Sequence, residues 1–185
     1  MLSVNICSVC DIVILSDGLG EFSATEIVQE ASLAAIVIIH LSLARRHAES
    51  RQCNILIAGF FTAMFFRELD ALFDIIYHGS WVFFSLAVSV MAIFYAILAG
   101  RKTLEKLSHY ICTPQYGIML CGIICILVFS RLFGMHYLWE TLLKDNYMRT
   151  VKNIVEKGME MFGYSLCLLS SLGYIFQMPG LKKTK

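Results

Sequence analysis

The sequence predicts an all-α, multi-pass transmembrane helical bundle of about five spans, with the N-terminus outside and the C-terminus cytoplasmic. Three observations carry this expectation. Hydrophobic residues make up 58% of the 185 and charged residues 16%, whereas a soluble domain carries about a quarter charged. Mean hydropathy is +0.70 and there are two prolines. Several apolar runs approach the ~20 residues a helix needs to cross hydrocarbon. In lipid the backbone must close its hydrogen bonds within each segment, so each run is read as a helix.

Residues 1–26 read as an extracytoplasmic tail. Its apolar stretch, Leu2 to Leu15, lacks a basic lead-in and contains Asp11, unlike a cleavable secretory signal. Cys7 and Cys10 form a lone Cys-x-x-Cys, half of what a tetrahedral zinc site needs. The odd total of seven cysteines, four of them (Cys112, Cys121, Cys125, Cys167) in or beside apolar runs, predicts small packing thiols rather than a disulfide scaffold.

The bundle occupies residues 27–178. Its first span, 27–44, stops at Arg45, Arg46 and His47. The second, 55–76, is interrupted by Arg67, Glu68 and Asp70 before resuming at Ala71. The third, 81–99, contains no charge, and Ser85, Ser89, Ala92, Ala96 and Gly100 give it a close-packing face. The fourth, 116–133, carries Arg131 near its end and a small edge of Gly117, Cys121 and Cys125. The fifth, 161–178, meets a Pro179-Gly180 stop before the basic tail 179–185. Between the last two, residues 136–160 alternate apolar and charged positions at helical spacing, with Tyr137 and Trp139 suited to headgroups. This segment is expected to lie at the interface or to extend the fifth span outward.

Lysine and arginine set the orientation. Arg45, Arg46 and Arg51 follow span one, Arg101, Lys102 and Lys106 follow span three, and three lysines end the chain. An odd number of spans puts these nine charges on one side, the cytoplasmic one, and the remaining six on the other.

In that orientation ionisable residues collect at the outer third of four spans. Glu26 and Glu30 open span one, and Arg67, Glu68, Asp70, Asp74 and His78 close span two, the last three at four-residue spacing. Arg131 closes span four. Glu156 and Glu160 open span five and continue inward as Tyr164, Cys167, Ser171 and Tyr174. A charge at a span centre costs on the order of 2.5–3.5 kcal/mol, so these groups should face one another or water. Against Arg67 and Arg131 the acids are in excess, and crowded carboxylates must be paired, protonated or bridged by a cation. The expected site is therefore a cation- or proton-binding cluster of Glu30, Glu68, Asp70, Asp74, His78, Glu156 and Glu160, with Arg67 and Arg131 balancing charge.

The function expected from this pattern is a small channel, transporter or membrane-sensor subunit, acting in the bilayer as a homo-oligomer. A net charge of +1 gives no field for nucleic acid. One alternative is a metal-dependent membrane hydrolase acting on a lipid, with His78, Asp70, Asp74, His136 and Glu160 as ligands and acid. Its spacing matches no fixed metal motif. Another is a structural subunit that docks a protein partner through 136–160. His47, His109, His78 and His136 are too loop-like for a bis-histidine haem, and His40, inside span one, has no evident partner at its depth. No motif defines a cofactor.

Overall fold

The computed structural model describes residues 24–75, 77–143 and 149–177. The Cys7/Cys10 pair, Lys144, Asp145, the Pro179-Gly180 stop and the lysine tail lie outside the described residues. Regular structure among the described residues is helical throughout: α1 (Ala24–Arg46), α2 (Arg51–Glu68), α3 (Asp70–Asp74), α4 (Trp81–Leu98), α5 (Arg101–Ile111), α6 (Pro114–Ile124), α7 (Ser130–Phe133), α8 (His136–Leu143) and α9 (Arg149–Gln177). A 3-10 turn, Ala48–Ser50, leads into α2, and a π-helical turn, Cys125–Phe129, joins α6 to α7.

Four helical stretches are long and apolar enough to cross a membrane: Thr25–Arg46, Trp81–Leu98, Pro114–Phe133 and Val151–Gln177. Glu26 in the first turn of α1 and Arg45 and Arg46 in its last complement the helix dipole. Helix α2 is apolar between Ile55 and Phe66 but carries Arg51, Arg67 and Glu68 at its ends. It stops at Leu69, so residues 55–74 form two helices with a break where the charges fall. Gly79 (φ 79°) and Gly100 (φ 52°) hold left-handed backbone in the turns on either side of α4, a conformation that costs other residues most. Residues 101–111, expected as a connection, form the amphipathic helix α5. Within the 136–160 segment His136–Leu143 form α8, and from Arg149 to Gln177 α9 runs without a break.

The described residues fall into two compact units. One comprises residues up to Gln29 together with Leu120–Cys167; the other comprises Glu30–Met119 and residues from Leu168 onward.

In the second unit α2 packs along α4. The small face of α4 is an internal contact: Ala92 and Ala96 are buried, and the Ser85 hydroxyl donates to the Ala63 carbonyl at 3.2 Å. The opposite side, with Phe83, Leu86, Met91 and Phe94, is exposed. Thr103 of α5 donates to the Ala96 carbonyl at 2.8 Å, and Tyr110 buries against Leu43, Cys53 and Tyr174. A methyl group on Gly59 would overlap the Ala92 side chain. Gly59→Ala should therefore destabilise by about 1–3 kcal/mol through overpacking. The swap Gly59→Ala/Ala92→Gly should recover most of that, as read by thermal unfolding in detergent. No recovery would mean that this contact is not what limits the approach of the two helices.

In the first unit the close approach is between α6 and α9, at Gly122 and Gly163. The expected small edge is thus shifted. Gly117 has open space around it and Cys121 is exposed, while Gly122 and Cys125 meet the partner helix.

Candidate functional site

The expected cluster residues divide between the units. Arg131, Glu156 and Glu160 belong to the first, and Glu30, Arg67, Glu68, Asp70, Asp74 and His78 to the second.

In the first unit Glu160 projects from α9 and is only 3% exposed. Its Oε1 lies 3.4 Å from the Ser130 hydroxyl and 3.8 Å from Arg131 Nη2. Ser130 follows the π-helical turn, and its hydroxyl also donates to the Ile126 carbonyl at 2.5 Å. Such a turn adds one residue locally and re-aims the side chains after it. One turn before Glu160, Glu156 accepts from Lys152 Nζ at 3.1 Å and lies 4.0 Å from Arg131. It also sits against Gly134, where a Cβ would be 2.6 Å from its carboxylate, and Lys152 donates to the Gly134 carbonyl at 3.2 Å. Lys157 reaches Glu26 at 3.0 Å, and its carbonyl accepts from the Gln29 amide at 3.2 Å. Arg131, Lys152 and Lys157 therefore stand against Glu26, Glu156 and Glu160, one for one. The acid excess expected from Arg67 and Arg131 alone does not arise here, because α9 supplies lysines between its acids.

In the second unit Glu30 is half-buried on α1, and Arg67 and Glu68 form an ion pair at 2.7 Å. Asp70 starts α3 and is exposed. The four-residue stripe of Asp70, Asp74 and His78 is not one helical face, since α3 ends at Asp74 and His78 lies in the following turn. Asp74 closes that turn: one oxygen accepts the Gly79 N–H at 2.9 Å and the other meets His78 Nδ1 at 2.8 Å. The Gly79 amide and then His78 hold its carboxyl below the usual carboxylate range. With His78 at 94% exposure this is a surface pair.

A second polar constellation surrounds His40, for which the sequence shows no partner. His40 is fully buried in α1, with Nδ1 at 2.9 Å from Asn54 Oδ1 and Nε2 at 3.3 Å from the Ser171 hydroxyl. Asn54 donates its amide to the Ser50 carbonyl (3.0 Å) and hydroxyl (3.2 Å), which fixes Oδ1 toward the ring. Nδ1 therefore carries a hydrogen directed at Asn54, and Nε2 lies within hydrogen-bond reach of the Ser171 hydroxyl. Tyr174 stacks on His40 with centroids 6.2 Å apart, and its other neighbour, Tyr110, meets it edge-on at 4.9 Å. Nearby, Ser170 donates to the Gln115 carbonyl at 2.7 Å.

No family model matches the chain, and no curated protein or solved structure is significantly similar to it.

His40 has both ring nitrogens engaged, so neither is open to iron or zinc. His47 lies between helices, His109 is exposed on α5, and His136 lies 3.7 Å from Glu140. Among the described residues no three His, Cys, Asp or Glu side chains converge as metal ligands. The inward stripe of α9 is buried at every position read from the sequence: Glu160, Tyr164, Cys167, Ser171 and Tyr174.

Proposed function

We propose that the chain is an integral membrane protein of five crossings, N-terminus outside and C-terminus cytoplasmic, that responds to protons or cations as a small channel, transporter or membrane-sensor subunit. The four long apolar helices support membrane embedding, and α2 is the fifth crossing, its charges confined to its ends. The alternation of basic connections supports the orientation. A homo-oligomer is the working form, because five helices seldom enclose a wide path alone.

One observation carries the functional part: Glu160, a buried carboxylate within the long apolar helix α9, beside a π-helical turn that brings Ser130 to it. Ionisable groups inside such segments are costly and mark ion or proton sites. Arg131, 54% exposed, is positioned to answer a change in its charge.

The test is proton and cation flux into proteoliposomes under imposed pH and voltage gradients. Glu160→Gln keeps the shape and removes the charge. It should change proton flux about tenfold, the factor given by ~1.4 kcal/mol of barrier. Glu68→Gln/Asp70→Asn, on the other unit, reports whether the outer acids share the path. Wild-type protein that passes nothing, or a Glu160→Gln protein with unaltered flux and pH profile, would overturn the proposal.

A further inference from the structure

We infer that the pocket between the end of α1 and the start of α2 holds the phosphate of an anionic phospholipid. The pocket has a volume of about 250 Å³ and is lined by Leu41, Ala44, Arg45, Arg51 and Ile55. That is below the ~300 Å³ at which sites for whole drug-sized molecules begin. It fits a headgroup fragment whose chains remain outside.

The lining is divided in the way such a ligand requires. Arg45 and Arg51 form the basic end, and Leu41 and Ile55 the apolar end, each one helical turn from its arginine along the same helix. One turn is ~5.4 Å, the scale that separates a phosphate from the start of an acyl chain. Arg51 Nε donates to the Ala44 carbonyl at 3.2 Å, which anchors the guanidinium in the wall. Its remaining donors keep the planar fork that matches phosphate oxygens. The one acid of the connection, Glu49, is drawn to Lys106 at 3.2 Å. Arg45, Arg46 and Arg51 therefore leave this corner basic. In the proposed orientation it lies on the cytoplasmic side, where basic pockets between membrane helices bind anionic headgroups.

The inference rests on membrane embedding but uses no residue of the acidic cluster, so it can fail while the flux proposal stands, and the reverse. Its test is native mass spectrometry of the full-length protein in neutral detergent, titrated with dioleoyl phosphatidylglycerol or dioleoyl phosphatidylcholine. The anionic lipid should bind at least about tenfold more tightly. Arg45→Gln/Arg51→Gln should bring the two lipids level, and Arg46→Gln, outside the lining, should keep the preference. Because Arg51→Gln also removes the bond to Ala44, Arg45→Gln alone must lower the preference at least about threefold. Inorganic phosphate at millimolar concentration separates the two sources. Failure to displace the lipid assigns the site to a phospholipid, whereas displacement makes free phosphate the ligand and overturns the lipid assignment. Equal binding of the two lipids to wild type, or a preference that survives loss of both arginines, overturns the site itself.

Discussion

Asn54→Leu is expected to lower the thermal unfolding midpoint of the detergent-solubilised protein by about 6–12 °C, and adding His40→Leu should return a large part of that loss. Asn54 is fully buried and makes three hydrogen bonds, to His40 Nδ1, the Ser50 carbonyl and the Ser50 hydroxyl. In membrane proteins such bonds average roughly 0.6 kcal/mol. A donor stranded without a partner costs about 1–3 kcal/mol more. The sum is about 3 kcal/mol, and each kcal/mol moves the midpoint by roughly 2–4 °C at this chain length. The single leucine strands the Nδ1–H of His40. The double leucine removes both sides, and a pair replaced by apolar groups is nearly neutral. The cycle should therefore show a coupling of at least about 1 kcal/mol. Effects that add to within about 0.5 kcal/mol would mean that His40 and Asn54 do not hold α1 to α2 through each other.

That network also marks where the sequence was opaque. His40 was visible as the one histidine inside a span, but its partners stand 14 and 131 positions away. Both are neutral side chains, Asn54 and Ser171, and a search guided by charge passes over them. A usable signal was present: Ser50 and Asn54 lie one turn apart where α2 enters its apolar run, and Ser170 and Ser171 interrupt another apolar run. Each must find a partner where water is absent. The reverse holds for α9, whose inward stripe from Glu160 to Tyr174 was readable because each polar or small residue recurs at helical spacing among larger apolar ones.

Charge counting failed for a different physical reason. Lys152 and Lys157 fall in the 136–160 segment, read from the sequence as interfacial or as an outward extension of span five, and the balance sets the acids against Arg67 and Arg131 alone. Yet α9 runs unbroken from Arg149, so both belong to the same helix as the acids they accompany. Helix α5 was missed because its charged residues, Arg101, Lys102, Glu105 and Lys106, resemble a loop. Thr103, Leu107 and Tyr110, which share one face, are the positions that pack inward. The break at Leu69, by contrast, falls where Arg67, Glu68 and Asp70 interrupt the apolar run.

Alanine at Gly163 or Gly122 should destabilise the protein, while the same change at Gly117 or Gly158 should stabilise it. All four glycines are helical, so each alanine gains up to ~1 kcal/mol in helix propensity and reduced unfolded-state freedom. What differs is the space. A Cβ on Gly163 would lie 2.5 Å from Ile126 Cγ1 and 2.7 Å from the Gly122 carbonyl oxygen. A Cβ on Gly122 would lie 2.6 Å from Cys167 Sγ and 2.7 Å from the Gly163 carbonyl oxygen. A side-chain end can swing aside, but a helical carbonyl cannot, so the whole helix must retreat. Overpacking of this kind costs about 1–3 kcal/mol, enough to outweigh the propensity gain at each position. Helix association in lipid relies on close packing at small residues, so the retreat also loosens contacts along α6 and α9, including the approach of Ser130 to Glu160. At Gly117 and Gly158 a Cβ meets nothing within 4 Å, and only the favourable contribution remains. Unfolding midpoints of the four single variants, measured in one detergent, decide the matter by sign. Opposite signs within the set identify α6 against α9 as a backbone-to-backbone contact, and a common sign for all four would show that these two helices do not approach through their glycines.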